Sequence, residues 1–67
     1  MEINVFLDGL KEIISSAKEK NVEIAKVDIL ADDYYDCLQF SDEKGNLLAE
    51  IDFTDGVVPI FYGALIK

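Results

Sequence analysis

The spacing of the apolar residues changes period once, near Asn21, and that change constrains the fold more than any other feature of the chain. Before it, Ile3, Phe6, Leu7, Leu10, Ile13, Ile14 and Ala17 recur at intervals of three and four. This spacing predicts an amphipathic helix over residues 2–20. Glu2 and Asp8 fall early and Lys18 and Lys20 late, as the helix macrodipole favours, and Asn21 is a stop signal. Gly9 costs such a helix about 1 kcal/mol relative to alanine. It points either to a strand that must approach closely or to a shorter helix capped by Asn4.

After Asn21 the period is two. Residues 22–30, rich in β-branched side chains, read as a first strand with Ala25, Val27 and Ile29 on one face. Asp32-Asp33 marks a turn. Residues 34–41 and 46–54 form a hairpin closed by Asp42-Glu43-Lys44-Gly45. Alternation turns Leu47, Ala49, Ile51 and Phe53 inward with Leu38 and Phe40. Leu48, Glu50 and Asp52 then face outward with Tyr35, Cys37 and Gln39. Residues 57–61 add a fourth strand, which Pro59 confines to an edge or a bulge. The tail, 62–67, reads equally as strand or helical turn. The expectation is a single α+β domain over residues 1–67, one N-terminal amphipathic helix packed on a three- or four-stranded antiparallel meander.

A chain of 67 residues builds a small core that needs unusually good packing or some other support. Cys37 is the one cysteine, so no intrachain disulfide supplies that support, and an unpaired thiol fits a reducing, cytoplasmic compartment. The opening residues lack the basic start and apolar run of a signal peptide. The longest apolar stretch, 57–66, is about half of what a bilayer span requires, so no membrane segment is expected.

Charge is distributed unevenly. Asp28, Asp32, Asp33, Asp36, Asp42, Glu43, Glu50, Asp52 and Asp55 stand against Lys44 alone between Val27 and Asp55, and that stretch accounts for the whole formal charge of −8. Such a field repels nucleic acid and anionic lipid and attracts basic protein surfaces. Histidine and arginine are absent. The usual general base, the commonest metal ligand and the phosphate-binding fork are therefore missing, and nucleophilic triads have no base to draw on. Asp32-Asp33-Tyr34-Tyr35-Asp36 superficially resembles the aspartate-rich magnesium motif of isoprenoid synthases, but here it sits at a turn in a chain too short for a diphosphate cavity. Asp42-Glu43-Lys44-Gly45-Asn46 lacks the ligand positions and closing glutamate of an EF-hand loop. Neither an enzyme nor a cofactor or metal site is expected.

Two surfaces remain. The acidic cluster places Glu50 and Asp52 about 6.8 Å apart on one strand face, with Asp32, Asp33 and Asp36 at one end of the hairpin, Asp42 and Glu43 at the other, and Asp55 in the turn that follows it. Tyr35 serves as an amphipathic anchor beside them. The competing reading is a solvated face and its turns, although a face kept only for solubility ordinarily mixes signs. Cys37, outward in acidic surroundings, should have a raised thiol pKa and serve as filler. The second surface is the apolar C-terminal run with Val58, Ile60, Phe61, Tyr62 and Leu65. It either closes the core or leaves a patch for docking or for a homodimer.

In size, acidity and helix-plus-meander architecture, the chain resembles the small acidic inhibitors of phages and mobile elements, such as anti-CRISPR proteins and other DNA mimics. Bacterial immunity proteins share the habit. The resemblance implies a non-enzymatic inhibitor that occupies the basic nucleic-acid-binding site of a nuclease or related enzyme. Asp32, Asp33, Asp36, Glu50, Asp52 and Asp55 would meet lysines and arginines there. The alternative is a structural or adaptor module that self-associates or docks through the apolar C-terminus.

Overall fold

The computed structural model describes residues 3–54, 56 and 58–66. Helix α1 (Ile3–Glu19) precedes four strands, β1 (Lys26–Ala31), β2 (Asp36–Ser41), β3 (Leu47–Asp52) and β4 (Ile60–Tyr62). The strands pair antiparallel in chain order, so the fold is an α+β meander with one helix. Among the described residues no helix is long and apolar enough to cross a membrane.

The helix ends at its expected stop. Asn21 takes a left-handed conformation (φ 55°), and the amides of Asn21 and Val22 donate back to the carbonyls of Lys18 and Ala17 at 3.2 and 2.9 Å. This is the Schellman arrangement, which satisfies two carbonyls that the helix itself leaves open. Because Val22 is used by the cap, β1 begins at Lys26 rather than at residue 22. Gly9 resolves the choice it posed. It is buried on the sheet-facing side of α1, and a Cβ there would overlap the ring of Phe61 from β4. The helix is not shortened; it is let down onto the sheet at that point.

The core lies between α1 and one sheet face. Ile13, Ala17, Phe40, Ala49, Ile51 and Leu65 are buried there, with Phe6, Leu10, Ile24, Leu38, Leu48, Phe53, Phe61 and Ile66 packed around them. Most of the inward set follows from alternation, but Leu47 does not. It is 51% exposed, and Leu48 packs on the core instead. The pairing runs Phe40↔Ala49 and then Ser41↔Leu47, which leaves Leu48 as an extra residue in β3. A β-bulge of this kind reverses alternation beyond it. The Leu48 carbonyl then accepts the Leu65 amide at 3.2 Å, and Gly63 (φ 116°) runs so close that a Cβ would lie 2.7 Å from that oxygen.

All four strands start later than their expected bounds, whereas β1 and β4 each run one residue further, to Ala31 and Tyr62. Tyr34 and Tyr35 belong to the β1–β2 turn rather than to β2, and both are exposed. β4 is three residues long, and the tail after it forms a turn in which the Ile66 amide donates to the Gly63 carbonyl. Lys20 Nζ donates to the Ala64 carbonyl at 2.6 Å, fastening the end of α1 to this tail. Asp55 and Val57 lie outside the described residues.

Candidate binding surface: the open face of the sheet

Residues that alternate with the core set line the sheet face turned away from α1. The register aligns them in two cross-strand rows. One row runs Leu30, Cys37, Asp52, Ile60, and the other Asp28, Gln39, Glu50, Tyr62. Tyr35 stands at their end, 60% exposed, and Leu30, Ile60 and Tyr62 are also exposed. Lys26 sits at one corner, its Nζ 3.5 Å from Asp28 Oδ2. Gln39 Nε2 donates to Glu50 Oε1 at 2.7 Å, which fixes the glutamate against the sheet. A depression of about 180 Å³ opens between Leu30, Tyr35, Cys37, Gln39 and Glu50.

Cys37 faces this side, as alternation requires, yet it is only 4% exposed. Burial beneath its neighbours raises the thiol pKa, and the charges of Glu50 and Asp52 raise it further. The thiol is therefore a protonated floor of the depression and not a nucleophile at neutral pH.

Not every carboxylate of the acidic stretch is available in the same way. Asp32 Oδ1 accepts the amides of Tyr34 and Tyr35, both at 2.7 Å, and builds the β1–β2 turn. Asp42 accepts the Asn46 side chain and the amides of Asn46 and Lys44, all at 2.9 Å, and builds the β2–β3 turn. Asp52 accepts the hydroxyl and the amide of Thr54. These bonds favour the charged form, so all three pKa values lie below the ordinary carboxylate value. The three residues are turn formers that remain negative.

The acidic residues expected at one site are thus separated. Glu50 and Asp52 share the open face. Asp32 and Asp33 lie in the exposed turn at its end, beside Tyr35. Asp36 has the parity of Leu38 and Phe40, belongs to the helix-side face and is half-buried. Its backbone is engaged by Thr54 Oγ1 (3.2 Å) and by the Phe53 amide (2.9 Å). Asp55 falls outside the described residues. Asp28 joins the open face beside Gln39, although nothing in its local pattern ranks it with Glu50; the signal is the β1–β2 register, which only the fold supplies.

The C-terminal run is divided as well. Leu65 is core, Phe61 packs on Gly9 and Pro59 is buried. Ile60 and Tyr62 join the open face, and Val58 is exposed in the segment before β4. Among the described residues no three histidine, cysteine or acidic side chains converge on a point that could hold a metal ion. What the open face offers is charge, aromatic area and a shallow recess, which suit recognition. No family model, no curated protein and no solved structure matches this chain.

Proposed function

We propose that the chain is a non-enzymatic inhibitor that lays the open face of its sheet on the basic, nucleic-acid-binding surface of a partner enzyme in the cytoplasm. The observation that carries this reading is the juxtaposition of Asp28, Glu50 and Asp52 with exposed Leu30, Tyr35, Ile60 and Tyr62 on one uncovered face. Carboxylates repeated along and across strands answer lysines and arginines that otherwise hold phosphates. Aromatic and aliphatic neighbours supply the desolvated contacts that make such an encounter last. The turn formers Asp32 and Asp42 add to the attracting field without leaving their turns. Electrostatic attraction of this kind speeds association and weakens with salt.

The immobilised protein should retain a nucleic-acid enzyme from lysate at about 50 mM salt and release it at about 300 mM. Added DNA should displace the same enzyme. The double reversal Asp28→Lys/Glu50→Lys should abolish retention while the far-UV circular dichroism is unchanged. Retention that ignores salt, or that survives the double reversal, would refute the reading.

A further inference from the structure

The two edges of the sheet are protected unequally. β4 is three residues long, preceded by buried Pro59 and followed by Gly63 against the β3 backbone. Short strands and flanking prolines are ordinary protection for an edge. β1 is six residues long, without proline, glycine or bulge, and no described strand pairs with its outer side. Its hydrogen-bond phase is fixed by neighbouring bonds. The Asp32 amide donates to the Tyr35 carbonyl in continuation of the β1–β2 register, so even-numbered residues of β1 point their backbone groups at β2. The amides and carbonyls of Val27, Ile29 and Ala31 therefore point outward. The side chains of Val27 and Ile29 lie on the core-side face, yet they are 52% and 72% exposed.

We infer that β1 pairs antiparallel with β1 of a second copy, making one continuous sheet across a two-fold axis. An axis normal to the sheet requires residues of like parity to face each other. The registers that keep most of β1 paired centre on Asp28 or on Ile29. Centring on Asp28 opposes two carboxylates, which is destabilising. Centring on Ile29 sets Ile29 against its copy, Val27 against Ala31 and Asp28 against Leu30. It also brings Lys26 opposite Asp32 of the other copy. The one cation among the described residues of the open face thus meets the carboxylate at the far end of the strand, and the Val27–Ile29 shelf becomes continuous between the two cores. The charge pattern of β1 selects a second copy in one register, where an unrelated strand would meet no such match. This inference does not rest on the proposed inhibitory function.

The pairing sits between two chains that each carry −8, so screening should strengthen it. Sedimentation equilibrium on the full chain should show a dimer whose dissociation constant falls about tenfold between about 50 mM and about 500 mM salt. This is the opposite salt response to that expected for a basic partner, so failure of one reading is distinguishable from failure of the other. Ile29→Pro removes only an outward-pointing amide and should abolish dimerisation while circular dichroism is kept. Ile29→Cys in a Cys37→Ser background should form a symmetric disulfide on mild oxidation, because directly opposed hydrogen-bonded residues lie about 5.5 Å apart at Cα. Asp28→Cys should not. A monomer at both salts, a dimer that Ile29→Pro leaves intact, or equal cross-linking from positions 28 and 29 would overturn the pairing.

Discussion

Ile29 and Ile51 stand in the same cross-strand row, on the same face of the same sheet, with Leu38 between them. Ile51 is fully buried and Ile29 is 72% exposed. The residue type, the strand environment and the side of the sheet are alike. The difference is which strand the helix covers. Four strands spaced about 4.8 Å apart are wider than a helix about 10 Å across, and Gly9 draws α1 against Phe61 on the β4 side. One half of the sheet is thereby saturated with core contacts. The other half keeps an apolar face and a bare edge. Open surface begins where the covering stops.

The largest test of that comparison is to truncate both isoleucines. Ile51→Ala leaves a cavity under α1 and should lower unfolding free energy by about 2–5 kcal/mol in a denaturant titration. Ile29→Ala, measured at a concentration where the chain is monomeric, should change it by no more than about 0.5 kcal/mol, as exposed substitutions do. Similar losses at the two sites would mean that β1 is packed as tightly as β3.

Gly9 is the next lever, because it sets which half is covered. Alanine at this position should gain about 1 kcal/mol of helix propensity, yet its Cβ would overlap the Phe61 ring. Overpacking of this kind costs about 1–3 kcal/mol, so Gly9→Ala should destabilise on balance. Phe61→Leu in the same chain removes the overlap and should recover most of the loss that Gly9→Ala adds. A Gly9→Ala chain more stable than the parent would show that α1 does not need its close approach to β4.

The parts of this molecule that were legible in the sequence are those written by local rules. The helix followed from three-and-four spacing, its end from Asn21, and the hairpin from alternation around Asp42–Gly45. Gly9 signalled either close approach or a shorter helix, because a helix interior carries glycine at a cost, and only the contact with Phe61 decides between them. What escaped depends on registers that no local pattern prints. Leu48 looks identical whether or not the strand is bulged, and the bulge appears only in its pairing with β2. Ile29 looks like core until the width of the helix is set against the width of the sheet. The acidic stretch reads as one surface in one dimension. In three dimensions Asp36 turns to the helix side and Asp32, Asp42 and Asp52 are claimed by turns. Their role was readable as Asx-turn chemistry, but a dense charge run masks which carboxylates serve the backbone.

Those turn carboxylates give the subtlest way to separate the two halves. Asp32, Asp42 and Asp52 are held below the ordinary value near 4, about 3.9 for an aspartate. A group depressed in the folded state stabilises it fully above the unfolded pKa, and that contribution is lost as pH falls through the folded value. Acid should therefore act on the turns, and its effect should be felt most where nothing else holds the chain. β3 is held by the burial of Ile51 and Ala49 under α1, contacts that carry no titrating group, while β1 depends on its ladder to β2 and on the turn that Asp32 builds. The amides of Asp28 and Leu30 point at β2 and report that ladder. Their hydrogen-exchange protection, corrected for the intrinsic rate, should drop between pH about 6 and pH about 3 by more than that of Ile51. The glutamine replacement Glu50→Gln should leave this difference in place, whereas Asp32→Ala should produce it already at neutral pH. Equal loss of protection in β1 and β3 would mean that the uncovered half opens only when the whole molecule does.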